Sequence, residues 1–342
     1  MEFGGSVASS YELCKVLKLD LGFQVSVICS DRSSPGDSRK KLTAIQKEID
    51  PYLQAIYCPS AWEYFKTLVA SIKSSDAVWV NGFYGIYPSA AIVCASLINK
   101  PVVVSPRGSL QSAMYSRASK IKKLYTAVIA RLASRDLILH FTHQNELRDS
   151  LAAFHVLKKN RNFVLANTFR PMQSTNKDIS ALRHRPEHKL KKLLYVGRLH
   201  PKKQIEKILW ILARHESTTL TLVGGGDAQT IRMLRKEIEE SGLERRVSFI
   251  GHVPREGLAK YYESHDVLCL LSREENFGNV VIEALYFGLP VFLSRNCPWE
   301  QLDELGFGVS SSATSAIESS TIPSSSYNSG RVPPTQPTAV RH

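Results

Sequence analysis

The sequence predicts an α/β protein in which two tandem, Rossmann-like, doubly wound domains face a cleft. Three observations predict it. Short runs rich in Val, Ile and Leu alternate with helical patterns through both halves of the chain. The 342 residues suit two domains of roughly 150 residues each. Glycines and basic residues gather where the strand-like runs end, which is where open α/β sheets bind ligands.

In the first half, strands are expected at Phe23–Cys29, Ala77–Gly82, Pro101–Gly108 and Leu137–Thr142. Each is short, apolar and followed by enough chain for a crossover helix. Two of the helices are SVASSYELCKVLKLDLG, ending on a glycine, and SRASKIKKLYTAVIARLASRD. A doubly wound domain normally opens with a strand, yet Gly4 and Gly5 stand almost at the start, so the domain of residues 1–170 is expected to lack its first strand. The polar run at 171–189 carries no strand pattern and is expected to be a linker.

The second domain, residues 190–309, repeats the grammar. Its strand candidates are Lys192–Leu199, Thr219–Gly226, Val247–Val253, Asp266–Ser272 and Pro290–Ser294. Helices are expected between them at QIEKILWILARHE, DAQTIRMLRKEIEESG, PREGLAKYYESH and NVVIEALYFG. Residues 310–342 are rich in Ser and Pro with hardly any aliphatic side chains, and are expected to be a disordered tail.

Composition narrows the function. With 43% hydrophobic and 22% charged residues, the chain has the balance of a globular protein with a sizeable core. The longest apolar stretch, Pro88–Ile98, is near half of the ~20 residues a membrane-spanning helix needs. No basic segment followed by a long apolar one opens the chain, and the six cysteines form no CxxC pair. They read as thiols in a cytoplasmic protein, without a disulfide framework or zinc site. The net charge of +13 is lopsided: residues 1–180 hold 23 basic and 13 acidic side chains. That half is expected either to attract an anion (a nucleotide, nucleic acid or phosphorylated lipid) or simply to be solubilised by its charge.

The densest constellation is SREENFGNVVIEALYFGLPV, from Ser272 to Val291. A strand ends at Ser272, a loop carries Glu275, Asn276, Phe277 and Gly278, and a helix begins near Asn279. Free N–H groups and a partial positive charge at that helix start suit a phosphate, and Gly278 permits close backbone approach. Glu275 and Glu283 are carboxylates fit to accept hydrogen bonds from sugar or ribose hydroxyls; the plainer alternative makes one a helix cap and the other a solvated residue. A second constellation, YVGRLHPKKQIEKIL, puts Arg198 and Lys203 around a Pro-containing turn at a strand end, where two cations suit a diphosphate. LVGGGD (Leu222–Asp227) reads as a tight strand-to-helix turn, because it lacks a full dinucleotide fingerprint.

These residues carry a family resemblance. GRLHPKK, LVGGGD, VSFIGHVP and SREENFGNVVIEALYFGLPVF followed by PWEQL resemble glycosyltransferase family 4, the group 1 glycosyltransferases of GT-B architecture. The likeness is dense over about 190–309 and looser over 1–170. It implies retaining sugar transfer from a nucleotide-diphosphate donor, with no cofactor and no bound metal. Catalytic roles would fall to Arg198 and Lys203 at the diphosphate and to Glu275 at the donor sugar. Donor binding would fall to Gly4, Gly5, Asn276, Phe277, Gly278, Asn279 and Glu283, the last at the ribose. Two positions depart from the pattern: Gln204 follows Lys203 where the family usually has glycine, and SPRG stands where many members have a histidine.

The resemblance also implies a glycan or lipid-linked acceptor, a place in bacterial surface polysaccharide or lipopolysaccharide biosynthesis, and no nucleic acid. Peripheral contact with anionic membrane at its inner face is a further expectation, through the basic amphipathic run KIKKLYTAVIARL, for which an ordinary packed helix is the alternative. The family normally continues past PWEQL for several helices, so a chain truncated at both ends is expected. The competing reading is therefore an impaired remnant that binds nucleotide sugar without efficient transfer. An oxidoreductase is disfavoured because no intact glycine fingerprint follows a strand.

Overall fold

A computed structural model describes residues 5–30, 54–58, 60–111, 119–133, 137–173, 191–299, 302 and 308–311. The N-terminal half begins with helix α1 (Gly5–Lys15), continued by a π-helical turn at Val16–Asp20. Strands β1 (Ser26–Ser30) and β2 (Gln54–Cys58) pair in parallel. A separate four-stranded parallel sheet runs in the order β3 (Val78–Asn81), β4 (Val102–Ser105), β5 (Leu137–Phe141), β6 (Arg161–Val164). The expected doubly wound sheet of this half is thus divided into two ladders, yet one apolar core spans both: Ile28 and Ile56 pack with Val80, Val102, Val104, Leu137 and Leu139.

Helices α2 (Ala61–Ser74), α3 (Ile86–Leu97), α4 (Ser119–Leu132) and α5 (Gln144–Ala153) complete the half. Each starts or stops for a local reason. The Ser60 hydroxyl accepts from the Glu63 N–H at 3.2 Å at the start of α2. Pro88 falls in the first turn of α3, where a missing N–H costs no helical bond.

The C-terminal half is a six-stranded parallel sheet in the order β12-β11-β10-β7-β8-β9. These are β7 (Lys192–Val196), β8 (Thr219–Val223), β9 (Val247–Gly251), β10 (Val267–Leu270), β11 (Val291–Ser294) and β12 (Gly308–Ser311). The five expected strands are all present, each one to three residues shorter than its apolar run. All four residues of β10 are buried, as two-sided cover requires of an interior strand, whereas outer strand β9 is half exposed. β12 pairs through Ser310 and Ser311, so order extends two residues past the expected boundary at 309, because the β11 backbone supplies parallel hydrogen-bond partners. The remainder of the expected tail, 312–342, lies outside the described residues.

Helices α6 (Ile205–Arg214), α7 (Ala228–Glu240), α8 (Ala259–Ser264) and α9 (Asn279–Tyr286) cover this sheet. On α6, Ile205, Ile208, Leu209 and Leu212 are buried at helical spacing, giving it a core face and a solvent face. Asp227 caps α7 by accepting from the Thr230 N–H at 2.8 Å. Met172, in the stretch expected as linker, belongs to the core of the C-terminal half.

Candidate functional site at the strand ends of the two halves

The turns after β7 and β8 are locked together by glycine. Gly197 donates its N–H to the Val223 carbonyl at 2.9 Å, and Leu199 donates to Gly225 at 2.8 Å. A Cβ on Gly224, at φ +142, would lie 1.8 Å from the Gly197 carbonyl oxygen. The LVGGGD run is therefore the tight turn that the sequence suggested, and it fixes the loop carrying Arg198. Tyr195, fully buried, donates its hydroxyl to the Arg198 carbonyl at 2.8 Å. That holds the backbone while the Arg198 side chain remains exposed.

Lys203 closes the 3-10 turn Pro201–Lys203, and Gln204 after it adopts the left-handed conformation at φ 50. The unusual residue thus occupies a backbone geometry that glycine enters more readily. The Lys203 ammonium donates to Glu275 Oε2 at 2.5 Å, and the Ser272 hydroxyl donates to the same oxygen at 3.2 Å. Beside this pair, Lys202 meets Glu274 at 3.3 Å, and the Arg273 N–H bonds the Lys202 carbonyl at 2.8 Å. The β7 and β10 loops are therefore one unit of paired charges.

Gly278, at φ +74, turns the chain into α9, and a Cβ there would lie 3.2 Å from Glu275 Cγ. Phe277 is buried against Trp299, whose indole N–H donates to the Phe277 carbonyl at 2.5 Å. No side chain caps the start of α9, where the Val281 N–H bonds the Gly278 carbonyl at 2.8 Å and the first N–H groups precede any intrahelical acceptor. Asn279 is the first residue of α9: its amide donates to the Ser9 hydroxyl of α1 at 2.8 Å and accepts from Asn167 at 2.9 Å. Asn167 in turn accepts from Arg107, which also reaches the Asn81 side chain at 3.3 Å.

Glu283 stands apart from Glu275 in its partners. Its carboxylate accepts from the Tyr262 hydroxyl at 2.7 Å and lies 3.6 Å from the Arg255 guanidinium. Burial holds its carboxyl above the usual carboxylate range, an effect that the Tyr262 and Arg255 contacts oppose. Arg255 also lies 3.7 Å from Glu12 of α1 and donates to the Arg170 carbonyl at 2.5 Å. Both Glu283 oxygens are therefore engaged by protein groups, and α1 is joined to the C-terminal half through a partly buried charge network. Gly5 opens α1, while Gly4 lies outside the described residues.

Two groups that the sequence reading did not single out complete the cleft. Glu146, fully buried, accepts from the N–H of Gly108 at 2.6 Å and from the N–H and hydroxyl of Thr142, each at 2.7 Å. Thr142 then accepts from the Asn276 amide at 3.3 Å, across the two halves. A weak signal for this existed in His143-x-x-Glu146, a helix-capping pattern directly after a strand. His140 lies below: its Nδ1 meets the Ser105 hydroxyl at 2.7 Å and its Nε2 the Leu165 carbonyl at 2.8 Å. Arg107, His140, Trp79, Ser9 and Asn167 line a small cavity of the N-terminal half. Among the described residues, no group of three or more His, Cys, Asp or Glu is placed to hold a metal.

Two α/β halves with parallel sheets, their strand ends converging on one cleft, define the GT-B class of fold. The likeness to solved structures is extensive. The Anabaena protein HepE in complex with UDP-glucose superposes with a TM-score of 0.68 over 92% of this chain and 85% of that one, at 18% identity. WaaG, a glycosyltransferase involved in lipopolysaccharide biosynthesis, gives 0.61 over 91% and 83%, also at 18% identity. Residues 177–303 match the family of glycosyl transferases group 1. Mannosylfructose-phosphate synthase of Agrobacterium fabrum is 33% identical over 91 residues, which are 25% of this chain and 20% of that protein. The match thus spans about a fifth of the curated relatives' own length.

Proposed function

We propose that the protein is a retaining glycosyltransferase that moves a sugar from a nucleotide-diphosphate donor to a glycan or lipid-linked acceptor. The pathway proposed is bacterial surface polysaccharide or lipopolysaccharide biosynthesis, on the cytoplasmic side of the membrane. One observation carries the reading: the Lys203–Glu275 pair joins the loop after β7, which also carries the exposed Arg198, to the loop that leads into α9. Departure of the nucleotide puts negative charge on the diphosphate and positive character on the anomeric carbon. Arg198, Lys203 and the N–H groups opening α9 stabilise the first charge, the work a metal would otherwise do. Glu275, with Asn276, Phe277 and Gly278, holds the sugar, and a donor phosphate oxygen takes the proton of the incoming hydroxyl on the same face.

Lys203 reaches Glu275 at 2.5 Å in this structure, so a bound diphosphate shares or replaces that partner. For Glu283 to hold a ribose, the hydroxyls must join or displace Arg255, since Tyr262 already takes one oxygen. Support also comes from the UDP-glucose complex of the structural neighbour HepE. The test is a panel of nucleotide sugars read by thermal stabilisation, followed by an assay for donor hydrolysis and transfer. Stabilisation with turnover supports the enzyme, stabilisation without turnover supports the binding remnant, and no stabilisation by any donor contradicts both.

A further inference from the structure

The small cavity of the N-terminal half holds a cation whose charge the protein leaves unanswered. Arg107, just after β4, lines this cavity of about 210 Å³ and is partly buried there. Its hydrogen bonds go to two neutral amide oxygens, Asn81 Oδ1 at 3.3 Å and Asn167 Oδ1. Among the described residues it forms no ion pair. Glu146 is the acid whose field reaches it, but both Glu146 oxygens are taken by Gly108 and Thr142. No described Asp or Glu lines the cavity, and burial favours the neutral form of His140. A partly buried guanidinium met only by neutral acceptors suits an oxyanion.

A second group there is also unanswered. Thr168 lines the same cavity, and its hydroxyl is buried with no hydrogen-bond partner. Buried hydroxyls are ordinarily bonded, so one left open beside an unpaired cation marks a place for a ligand atom. Arg107 also holds a left-handed backbone at φ 54. That conformation costs energy in a residue with a side chain, and such residues cluster at functional sites.

We propose that Arg107 and Thr168 form a subsite for a carboxylate or phosphate group carried by a sugar substrate. The guanidinium fork takes two oxygens of the anion, and the Thr168 hydroxyl donates to it. Position ties the subsite to the sugar. Asn167, which accepts from Arg107, donates to Asn279 at the start of α9 at 2.9 Å. Gly108 lies so near the opposite loop that a Cβ on it would be 3.1 Å from Asn276 Oδ1. The subsite therefore adjoins the loop that the proposed function gives to the donor sugar, away from the diphosphate cations Arg198 and Lys203. Two substrates can carry the anionic group, the donor sugar and the acceptor, and the experiment has one arm for each. The inference rests on the proposed function for the sugar alone; the unpaired cation and the open hydroxyl stand without it.

In the first arm, UDP-glucose and UDP-glucuronate are titrated into the full chain. In the second, without nucleotide, glucose, glucuronate and glucose 6-phosphate are titrated and followed by ligand-observed NMR. The wild type is expected to favour the anionic sugar by about tenfold or more in at least one arm, which identifies the source. Arg107→Gln keeps an amide donor for Asn167 and removes the charge. It is expected to bring the anionic ligand down to the affinity of its neutral counterpart. Thr168→Val loses no bond within the protein, so its melting temperature should equal or exceed that of wild type while the preference falls several-fold. That variant keeps the test decisive should Arg107→Gln unfold. A wild type without preference for an anionic sugar in either arm would overturn the subsite, as would a preference that either folded variant retains in full. Failure of both UDP-sugars to bind, with glucuronate or glucose 6-phosphate still favoured over glucose, would remove the donor reading and leave the subsite standing.

Discussion

Lys203 and Glu275, 72 positions apart, meet at 2.5 Å where the loops after β7 and β10 converge. The two strands are neighbours in the sheet, so a cation from one turn and an anion from the other are held side by side. Their side chains are 23% and 14% exposed, enough shielding for the pair to be ordered and enough access for a ligand to reach it. Replacing Lys203 by Ala is expected to lower turnover by about 100-fold or more and stability by about 1–3 kcal/mol. Arg198→Ala is expected to lower turnover comparably with no change in unfolding, since its side chain is exposed. Steady-state rates beside thermal melts check both, and near-normal rates in either variant would remove the diphosphate assignment.

Glycine at 224 is a steric requirement of the site. A methyl group there would sit 1.8 Å from the Gly197 carbonyl, and the neighbour is backbone, which cannot turn aside. Gly224→Ala should therefore yield little soluble protein. Gly278→Ala meets the Glu275 side chain at 3.2 Å and the Leu270 and Val281 side chains at 3.4 Å, with the added strain of φ +74. It is expected to fold with a loss of about 1–2 kcal/mol and to displace Glu275. Expression yield and urea unfolding separate the two outcomes.

Thr142 connects the buried Glu146 to Asn276 of the opposite half. Its hydroxyl donates to the carboxylate and accepts from the amide, so Val cannot replace it and Ser can. Thr142→Val should cost about 1–3 kcal/mol through loss of the hydroxyl's bond to the buried carboxylate and raise the donor KM several-fold. Thr142→Ser should restore the KM. A donor titration that treats Val and Ser alike would show that this link does not order the loop.

Burial lowers the pKa of His140 below its usual 6.5. The folded protein keeps the ring neutral, with Nε2–H donating to Leu165 and Nδ1 accepting from Ser105. The unfolded chain binds a proton first as pH falls, so this contribution is complete above about pH 6.5 and declines below it. Glu283, whose carboxyl is raised by burial, works in the opposite direction: its protonation as pH falls favours the folded state. Comparing the melting temperature at pH 7.5 and 5.5 for wild type and His140→Gln isolates the histidine. The acid-induced drop should shrink in the variant; an equal drop in both would assign it to other groups.

Much of the C-terminal half was legible in its sequence because β7, β10 and β11 are buried almost throughout and read as short apolar runs. β6 was not, since Arg161–Val164 is a half-exposed edge strand with a polar start. β2 and helices α2, α3 and α5 also went unread; the apolar run of α3 showed no clear face because both sides of it are apolar. Within the site, Arg198, Lys203 and Glu275 were legible because strand-end loops keep their chemistry local. The chain Arg107–Asn167–Asn279–Ser9 was hidden, since Asn167 and Asn279 lie 112 positions apart and only folding brings them together. The same is true of Glu12, Arg255 and Glu283, whose joint engagement also alters what Glu283 must do to reach a ribose.

The central claim is that a diphosphate binds between Arg198, Lys203 and the start of α9. Calorimetric titration of UDP and UMP into wild type and an Arg198→Ala/Lys203→Ala variant tests it most directly. The account predicts that wild type prefers UDP and that the variant loses at least about 100-fold in UDP affinity while its weaker UMP affinity changes little. Equal UDP affinity in the two proteins would contradict it.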